Sequence, residues 1–334
     1  MKILVTGGIG NVGTAVIARL SGNGHEVTVI GRRPGMTVPG ARYRSCDITD
    51  VDALVEVTKG HDAVVHLAAF GNPALGTPDV IFQVNCQGTM NVYEAASRCG
   101  IRRVVTASSI NALGYGFGVK EWSYQYFPVD EDHPTFATDA YSFSKNIVEE
   151  IGRFWWRRDG ISGTCLRLPA VATPPGSGEE SIRSWTGCLR SEFEALKAMP
   201  AAERARTLDD WMARLARARE LRVYENPINP GFTSDIPLMT ARQDLWTAVD
   251  DRDAAQGIEK SLTDLYFTLP FDLGIIEARN KYTVNGDLAK GKIEEYGKIF
   301  VGEPYEVDRE VCDTLGLKSE HLDLIKSAKV ELES

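Results

Sequence analysis

A glycine-rich turn between the first two predicted elements constrains the fold of this chain more than any other stretch. The apolar run Lys2–Thr6 predicts a strand, and apolar residues at helical spacing predict a helix over Asn11–Ser21. Glycines crowd the connection, at Gly7, Gly8, Gly10 and Gly13. The free amides and the dipole of a helix N-terminus attract an anion, and a glycine turn lets a phosphate approach them. The stretch therefore predicts a phosphate-binding turn; a turn that needs glycine only for its geometry is the alternative.

The alternation of strands and helices continues through the first half of the chain. Short β-branched runs bounded by Gly, Asp or Pro predict strands at Glu26–Ile30, Ala41–Ser45, Ala63–Leu67, Arg103–Ser108 and Ser162–Leu168. Longer amphipathic segments predict helices at Asp50–Thr58, Pro78–Arg98 and Asp139–Arg158. Such alternation is typical of βαβ units. The expected fold is α/β, with a doubly wound parallel sheet of the Rossmann type.

The alternation breaks near residue 172. We expect a dinucleotide-binding core over 1–172 and a smaller, mostly helical substrate-binding part over 173–334, partly interleaved with the core. Within it, Ile182–Arg222 predicts one or two amphipathic helices in an insertion that either covers the substrate cleft or forms an oligomer contact. Beyond the insertion, a helix is predicted over Arg252–Ser261 and a strand over Leu265–Leu269.

Composition excludes several classes of protein. A net charge of −9 over 334 residues, without a long basic run, argues against a nucleic-acid binder. No apolar stretch approaches the roughly 20 residues that cross a membrane, and the first strand begins too early to leave room for a leader peptide. The six cysteines and five histidines are scattered. We therefore expect a cytoplasmic protein with reduced thiols, no metal site and no nucleic-acid or membrane partner.

The end of the second predicted strand bears on the choice of dinucleotide. A carboxylate commonly stands there when the ribose has no 2′-phosphate, but this chain has Gly31 followed by Arg32 and Arg33. A guanidinium group can hold a 2′-phosphate through charge-assisted hydrogen bonds. The sequence therefore predicts NADP(H) as the preferred cofactor, with NAD(H) as the alternative; a solvated basic turn would leave the preference open.

Eight stretches in order resemble the extended short-chain dehydrogenase/reductases, a superfamily of nucleotide-sugar epimerases, dehydratases and related reductases. They lie within residues 1–262 and read TGGIGNVG (6–13), CDITD (46–50), VVHLAA (64–69), VNCQGTMNVYEAA (84–96), TASSINALGYG (106–116), YSFSK (141–145), LRLPAV (166–171) and DDRDAAQGIEKSL (250–262). The resemblance implies a nicotinamide cofactor, a small-molecule substrate and Ser/Tyr/Lys catalysis.

The catalytic residues implied by the resemblance are Ser109, Tyr141 and Lys145. Tyr141 and Lys145 stand four positions apart, so they share one face of the predicted helix. A lysine charge about 5 Å away would lower the pKa of a tyrosine by about two units, which suits acid–base catalysis. Lys145 would also bind the nicotinamide ribose, and Ser109 would orient the substrate oxygen; Ser108 is the alternative to Ser109.

The same resemblance, with the glycine turn, predicts the cofactor-binding residues. They are Gly7, Gly10, Asn11, Val12, Gly13, Arg32, Arg33, Asp47, Ile48, Leu67, Ala68, Ala69, Asn85, Tyr141, Lys145, Pro169 and Val171. Asp47 would lie near the adenine amino group. Substrate contacts are predicted at Ser109, Asn111 and Tyr115, and the aromatic-rich loop over 116–138 either lines the cleft or packs on the surface.

Two departures from the superfamily pattern shape the functional prediction. Ala170 stands where many nucleotide-sugar enzymes have Asn, and Ala172–Pro174 replaces a common Tyr-Gly-Pro. We therefore expect an NAD(P)-dependent oxidoreductase that interconverts a hydroxyl and a carbonyl on a sugar-like or polyol-like molecule. A nucleotide-sugar epimerase of the UDP-glucose 4-epimerase type and a non-catalytic dinucleotide sensor are the alternatives. Helices Pro78–Arg98 and Asp139–Arg158 resemble the superfamily's homodimer interface, so a homodimer is expected, with Trp155 and Trp156 in either the interface or the core.

Overall fold

A computed structural model describes residues 1–114, 116–120, 131, 133–172, 195–222, 248–263 and 272–275. Its main sheet contains seven strands, all paired in parallel. The strands are β1 (Lys2–Thr6), β2 (Glu26–Gly31), β3 (Arg42–Ser45), β4 (Ala63–His66), β5 (Arg103–Ser109), β6 (Ser162–Leu168) and β9 (Asp272–Ile275). A separate parallel pair is formed by β7 (Ala170–Ala172) and β8 (Ala248–Asp250).

The order of the strands defines where a ligand can bind. The main sheet runs β3-β2-β1-β4-β5-β6-β9, so the chain reverses its direction of travel between β1 and β4. In open α/β sheets, ligands bind beyond the carboxyl ends of the strands at this reversal. The predicted doubly wound Rossmann-type fold is confirmed, and every predicted strand up to Leu168 lies within a residue of its observed bounds.

The helices follow the predicted segments with one local difference. They are α1 (Asn11–Gly22), α2 (Val51–Thr58), α3 (Pro78–Phe82), α4 (Gly88–Arg98), α5 (Ala140–Asp159), α6 (Ala201–Glu220) and α7 (Asp251–Thr263). The single helix predicted over Pro78–Arg98 is helical throughout, but its middle turn, Gln83–Gln87, is a π-helix. Such turns insert one extra residue and often occur at functional sites. Apolar periodicity does not reveal them, because the flanking turns keep the same buried face.

Two apolar clusters cover the two faces of the sheet. The period-two alternation of β1 places Ile3 and Val5 in the cluster beneath α1 and α7, whereas Leu4 enters the cluster beneath α2, α4 and α5. Trp155 belongs to the second cluster and is only 1% exposed, so it is a core residue. Its neighbour Trp156 is half-buried.

Two polar anchors join helix α7 to the core. Glu259 accepts hydrogen bonds from Arg19 Nε and Asn23 Nδ2 of the α1 region, both at 2.6 Å. Arg103 Nη1 donates to the carbonyls of Ser261 and Leu262 at 3.0 Å, which places a cation at the carboxyl end of α7, where the helix dipole favours it. The predicted helix over 252–261 is confirmed, whereas the strand predicted over 265–269 lies outside the described residues.

The insertion contributes one long described helix. In α6, the side chains of Leu208, Trp211, Met212, Leu215 and Arg219 follow one buried or half-buried stripe, and the other faces are mostly exposed. This confirms the amphipathic pattern over 201–220, while residues 173–194 lie outside the described part of the chain. The division of the chain into two parts at residue 172 stays a prediction. Two elements beyond that residue belong to the core, because α7 packs on α1 and β9 extends the main sheet.

Two further observations, on helix hydropathy and on cysteine thiols, concern the described residues. Among them, no helix is both long and apolar enough to cross a membrane. Cys46, Cys86, Cys99 and Cys165 carry free thiols, and burial raises the pKa of each. These thiols are therefore poor nucleophiles at neutral pH.

Candidate active site

The glycine turn packs directly against the end of β4. Gly7 has φ +72°, and a Cβ there would lie 2.6 Å from the backbone nitrogen of Ala68. A Cβ on Gly13 would lie 2.5 Å from the Cα of Gly8. Gly10 differs, because a Cβ there would meet one atom, the carbonyl oxygen of Gly7, at an ordinary 3.6 Å. Gly7 and Gly13 are thus required by the packing, whereas Gly10 leaves space beside the backbone.

The N-terminus of α1 is open to an anion. Gly10 is the N-cap residue and no side chain caps the helix, and its first turn contains no acidic residue. Gly10 and Asn11 are exposed, Val12 is half-buried and Gly13 is buried. The first-turn amides are therefore available to an anion, and the binding of a pyrophosphate there stays a prediction.

The Arg32–Arg33 turn follows β2 at the same edge of the sheet. The Tyr43 hydroxyl donates to the Arg33 carbonyl at 2.5 Å, and the Ser45 hydroxyl donates to the Arg32 carbonyl at 3.3 Å. Both arginines are exposed. A Cβ on Gly31 would lie 3.0 Å from the Tyr43 hydroxyl, so Tyr43 crowds the position where a carboxylate would otherwise stand. The backbone of the turn is held from behind, and both guanidinium groups extend from a supported turn.

The remaining predicted cofactor residues occupy the carboxyl ends of neighbouring strands. Asp47 Oδ1 accepts hydrogen bonds from the backbone and hydroxyl of Thr49, at 2.9 and 2.8 Å, which shapes the turn after β3. Ile48 is buried, and a Cβ on Gly88 would lie 2.5 Å from its Cδ1. After β4, Leu67 and Ala68 are half-buried and Ala69 is exposed. Beyond β6, Pro169 is buried and Val171 is half-buried.

Asn85 lies in the π-helical turn, and its side chain is fully engaged within the protein. Its Oδ1 accepts from the Phe70 amide at 2.8 Å, and its Nδ2 donates to the Phe70 carbonyl at 3.2 Å and to Ser144 Oγ at 2.9 Å. The side chain is buried. In this structure, Asn85 holds the segment after β4 against α5, and the cofactor contact implied by the resemblance stays a prediction.

Ser109, Tyr141 and Lys145 come together at the end of β5. Tyr141 and Lys145 lie on successive turns of α5, with Lys145 Nζ 5.8 Å from the centre of the Tyr141 ring. Lys145 Nζ donates to the carbonyl of Ala107 at 2.9 Å, and Ser109 shares a hydrogen bond with Tyr141. Tyr141 is 5% exposed and Lys145 is 4% exposed. The arrangement can present a phenol and a serine hydroxyl to one substrate oxygen.

Burial dominates the proton affinities of this site. It raises the pKa of Tyr141 to about 12, although the hydrogen bond with Ser109 acts in the opposite direction. Burial also lowers the pKa of Lys145 to about 8. The expectation that Lys145 brings the pKa of Tyr141 towards neutrality is therefore wrong for the protein alone. The cost of placing a phenolate away from water outweighs the effect of the lysine charge.

A buried ion pair next to Ser108 and one helical turn beyond Lys145 was missed by the sequence analysis. Arg167 on β6 donates to both oxygens of Glu149 on α5, through Nε and Nη2 at 2.9 Å. Both side chains are 3% exposed. Ser108 Oγ donates to Glu149 Oε1 at 2.6 Å. The signal was an arginine inside an otherwise uncharged strand, together with a glutamate one turn beyond Lys145.

This ion pair also separates the two serines at the end of β5. The Ser108 hydroxyl is directed to Glu149, whereas Ser109 forms a hydrogen bond with Tyr141 and accepts from the Asn111 amide at 3.2 Å. The geometry favours Ser109 over Ser108 as the substrate-orienting hydroxyl. Asn111 is the second residue of the short turn after β5, Ile110–Leu113, and is half-buried. Tyr115 lies outside the described residues.

The loop after this turn connects Tyr141 to the insertion helix. The rings of Phe117 and Tyr141 meet edge to face, with centroids 6.0 Å apart. The next residue, Gly118, has φ +110° and its carbonyl accepts a hydrogen bond from Arg219 Nη1 of α6 at 2.6 Å. Arg219 is buried. The Phe117–Gly118 segment is thus in contact with both the insertion helix and Tyr141.

Comparison with known proteins gives the family. Residues 3–196 match the NAD dependent epimerase/dehydratase family. This match covers more than half of the chain, which therefore belongs to that family, within the extended short-chain dehydrogenase/reductases.

Curated relatives include dehydrogenases and epimerases. The chain is 35% identical to an L-arabinose 1-dehydrogenase (NAD(P)(+)) from Haloferax volcanii, over 52% of the chain and 68% of that protein. It is 27% identical to a uronate dehydrogenase from Pseudomonas syringae, over 55% of the chain and 64% of that protein. It is 35% identical to a UDP-glucose 4-epimerase from Streptomyces lividans, over 45% of the chain and 46% of that protein. The matches thus span roughly half to two thirds of these relatives.

Solved structures support the fold over a longer region. A UDP-galactose 4-epimerase superposes with a TM-score of 0.54 at 21% identity, over 83% of this chain and 77% of that one. A structure described as MoeE5 in complex with UDP-glucose and NAD also gives 0.54, at 18% identity, over 88% and 81% of the two chains. At these identities the likeness concerns the fold alone.

The buried charge of Lys145 predicts a gain in stability when it is removed. A pKa lowered from 10.5 to about 8 means that folding disfavours the charged lysine below pH 8, and that this cost disappears as the pH rises from about 8 to 10.5. We expect Lys145→Met to raise the free energy of unfolding by about 1–3 kcal/mol at pH 7, since the lost hydrogen bond to Ala107 offsets part of the gain.

Denaturant unfolding at several pH values measures this effect. The gain should shrink between pH 8 and pH 10. Lys59→Met provides the control, because Lys59 is exposed and pairs with Glu56 at the surface. A Lys145→Met protein that is less stable than the wild type at pH 7, or a difference that does not change with pH, would contradict the expectation.

Proposed function

We propose that this protein is an NAD(P)-dependent oxidoreductase that interconverts a hydroxyl and a carbonyl on a free sugar or sugar acid. The observation that carries the proposal is the joining of Ser109, Tyr141 and Lys145 at the carboxyl end of β5, on the same edge of the sheet as the open N-terminus of α1. The similarity to an L-arabinose dehydrogenase and a uronate dehydrogenase supports the substrate class. A panel of sugars, uronic acids and nucleotide sugars, assayed with each cofactor by nicotinamide absorbance, tests it.

The proton affinities suggest how the side chains divide the work. A nicotinamide cofactor would supply or accept the hydride. Tyr141 stays protonated at neutral pH, since burial raises its pKa to about 12, so it can donate its proton to the oxygen of a carbonyl that is being reduced. Ser109 shares a hydrogen bond with that phenol and would orient the same oxygen. Lys145 carries a positive charge whose electrostatic attraction favours a phenolate once the proton has left.

Removal of one hydroxyl tests the role of Tyr141. We expect Tyr141→Phe to reduce kcat by about a thousandfold or more, because the substitution removes the proposed proton donor, while the affinity for reduced cofactor changes little. Tyr93→Phe is the matched control: it removes another buried phenol, which bonds Thr106 at 3.2 Å. Turnover by Tyr141→Phe within threefold of the wild type would exclude Tyr141 as the proton donor.

A nucleotide-sugar epimerase is the second candidate, favoured by the 35% identity to the Streptomyces lividans enzyme. Ala170 in place of Asn and the altered segment after it remove part of the contact expected for a nucleotide diphosphate, which favours net oxidation or reduction. The two reactions differ in one observable. An oxidoreductase consumes cofactor in proportion to product, whereas an epimerase converts substrate without a net change in nicotinamide absorbance. A dinucleotide sensor would turn over neither.

The supported Arg32–Arg33 turn favours NADP(H) over NAD(H). Tyr43 and Ser45 hold the backbone of this turn, and its two exposed guanidinium groups are available to a 2′-phosphate.

We expect Arg32→Ala to weaken NADPH binding about tenfold to a hundredfold and to leave NADH binding almost unchanged, because a charge-assisted hydrogen bond contributes about 1.5–3 kcal/mol. Fluorescence titration of the reduced cofactors measures both constants. Arg42→Ala, at the start of β3, is the control, and a wild type that prefers NADH would refute the preference.

The insertion helix α6 is proposed to cover the substrate side of the cleft. Its buried Arg219 bonds the Gly118 carbonyl, and the adjacent Phe117 ring packs on Tyr141.

We expect Arg219→Met to raise the substrate KM at least fivefold through loosening of this loop, with cofactor affinity within twofold. Arg217→Met is the matched control, since Arg217 lies on the exposed face of α6 and pairs with Glu220. An effect of Arg219→Met on cofactor binding alone would argue against a cover over the substrate.

A homodimer through α3 and α5 is also proposed. The rings of Phe82 and Phe143 stack with centroids 6.2 Å apart, yet they are 43% and 48% exposed. Such a pair costs free energy in water and would be covered in the dimer that the superfamily resemblance implies. We expect Phe143→Glu to halve the mass measured by light scattering. Leu221→Glu, at the exposed end of α6, should leave the mass unchanged, and a monomeric wild type would overturn the proposal.

A further inference from the structure

A buried histidine links the glycine turn to the catalytic helix. It is His66, the last residue of β4, which is 3% exposed and lies in the strand next to β1. Its Nδ1 lies 2.7 Å from Thr6 Oγ1, and its Nε2 lies 2.9 Å from Thr89 Oγ1. Neither the resemblance nor the proposed reaction assigns a role to this side chain.

The hydrogen-bond partners determine the direction of each bond. Thr6 Oγ1 accepts from the amides of Leu67 and Ala68, at 3.2 and 3.1 Å. Its own proton is therefore donated to His66 Nδ1, which must be an acceptor. The imidazole proton then resides on Nε2 and is donated to Thr89 Oγ1. Thr89 in turn donates to the carbonyl of Asn85 at 2.5 Å. The hydroxyl protons of Thr6 and Thr89 and the imidazole proton of His66 therefore each have one defined acceptor.

The imidazole is neutral in this setting. Burial lowers the pKa of His66 to about 3, and the positive charge of Lys145 adds to the effect. A protonated imidazole would carry a hydrogen on both nitrogens, and Thr6 would lose its acceptor. This series of hydrogen bonds therefore requires a neutral His66 in a single tautomer.

The series of hydrogen bonds continues through the side chain of Asn85 into the turn of α5 that contains Tyr141 and Lys145. Asn85 Nδ2 donates to Ser144 Oγ at 2.9 Å, and Ser144 Oγ donates to the carbonyl of Tyr141 at 2.7 Å. Ser144 precedes Lys145, so this contact lies between the two residues of the proposed proton-donating pair. At the other end, the Ala68 nitrogen that Thr6 holds is the atom that a Cβ on Gly7 would meet at 2.6 Å. A small shift of Ala68 would therefore displace the glycine turn.

We propose that His66, in its Nε2–H tautomer, is a positioning residue that aligns the glycine turn and the end of β4 with the catalytic turn of α5. It acts on one side through Thr6, and on the other through Thr89 and the π-helical turn. Its effect on turnover rests on the proposed function, whereas its tautomer and its effect on cofactor affinity do not. A misalignment of less than 1 Å between the two turns would slow the reaction more than it weakens binding of the substrate.

Two substitutions and one control test the proposal. His66→Leu removes both the acceptor and the donor. His66→Gln can supply an amide oxygen to Thr6 and an amide hydrogen to Thr89. Tyr93→Phe removes a buried hydrogen bond to Thr106 on β5, outside the chain of bonds described above, and serves as a control for a general loss of stability.

Three measurements have defined expectations. Nitrogen-15 NMR of the wild type should show His66 in the Nε2–H form without titration between about pH 5 and 9, where an ordinary histidine changes charge. His66→Leu should lower kcat at least tenfold with substrate KM within twofold, and should weaken NADPH binding at least threefold. His66→Gln should restore both values to within threefold of the wild type, and Tyr93→Phe should change neither.

Several results would overturn the proposal. They are an Nδ1–H tautomer, titration of His66 near its ordinary pKa, or a His66→Leu protein that behaves like Tyr93→Phe. If His66→Leu fails to fold, the wild-type tautomer and the kinetics of His66→Gln decide the outcome. If the wild type turns over no compound in the panel, the proposed function fails, while the tautomer and NADPH measurements still decide the role of His66.

Discussion

The close approach of the glycine turn to the end of β4 is the constraint on which the site depends. A methyl group on Gly7 would collide with the backbone of Ala68, and one on Gly13 would collide with Gly8, so β1, β4 and α1 meet with almost no space between them. This contact occurs where the order of the strands reverses, at the position at which α/β sheets bind ligands. The same closeness gives Thr6 and His66 their effect, because Thr6 can bond two amides of the adjacent segment at once.

Around this point the protein buries polar and charged groups that a stable core would exclude. Buried Lys145 exchanges its hydration for a hydrogen bond to the Ala107 carbonyl. In the ion pair of Glu149 and Arg167, by contrast, both carboxylate oxygens and two guanidinium nitrogens form hydrogen bonds. Removing one member of such a pair leaves an uncompensated buried charge, so the pair holds α5 to β6 in one arrangement. The pair lies next to the turn of α5 that contains Tyr141 and Lys145, where, under the proposed function, alignment matters more than stability.

The sequence predicted the parts of the structure that depend on local pattern. Alternating strands and helices defined the sheet, and the spacing of Tyr141 and Lys145 placed both residues on one helix face, as observed. It failed where long-range burial decides. The raised pKa of Tyr141 depends on desolvation by segments distant in sequence, and the π-helical turn at Gln83–Gln87 depends on contacts of Asn85 with Phe70 and Ser144. The Glu149–Arg167 pair joins residues 18 positions apart, with no local pattern that connects them.

The two sides of the candidate site are built in different ways. The proposed cofactor side consists of strand ends that belong to the core, and its hydrogen bonds run between β1, β4 and the helices of the core. The proposed substrate side borders the Phe117–Gly118 segment, which is bonded to Arg219 of the insertion and packs on Tyr141. Under the proposed function, the hydride transfer would depend on the first set, whose geometry the sheet determines. Substrate choice would depend on the second set, where an insertion can change without disturbing the sheet, so the motifs of the first half of the chain point to the reaction more strongly than to the substrate.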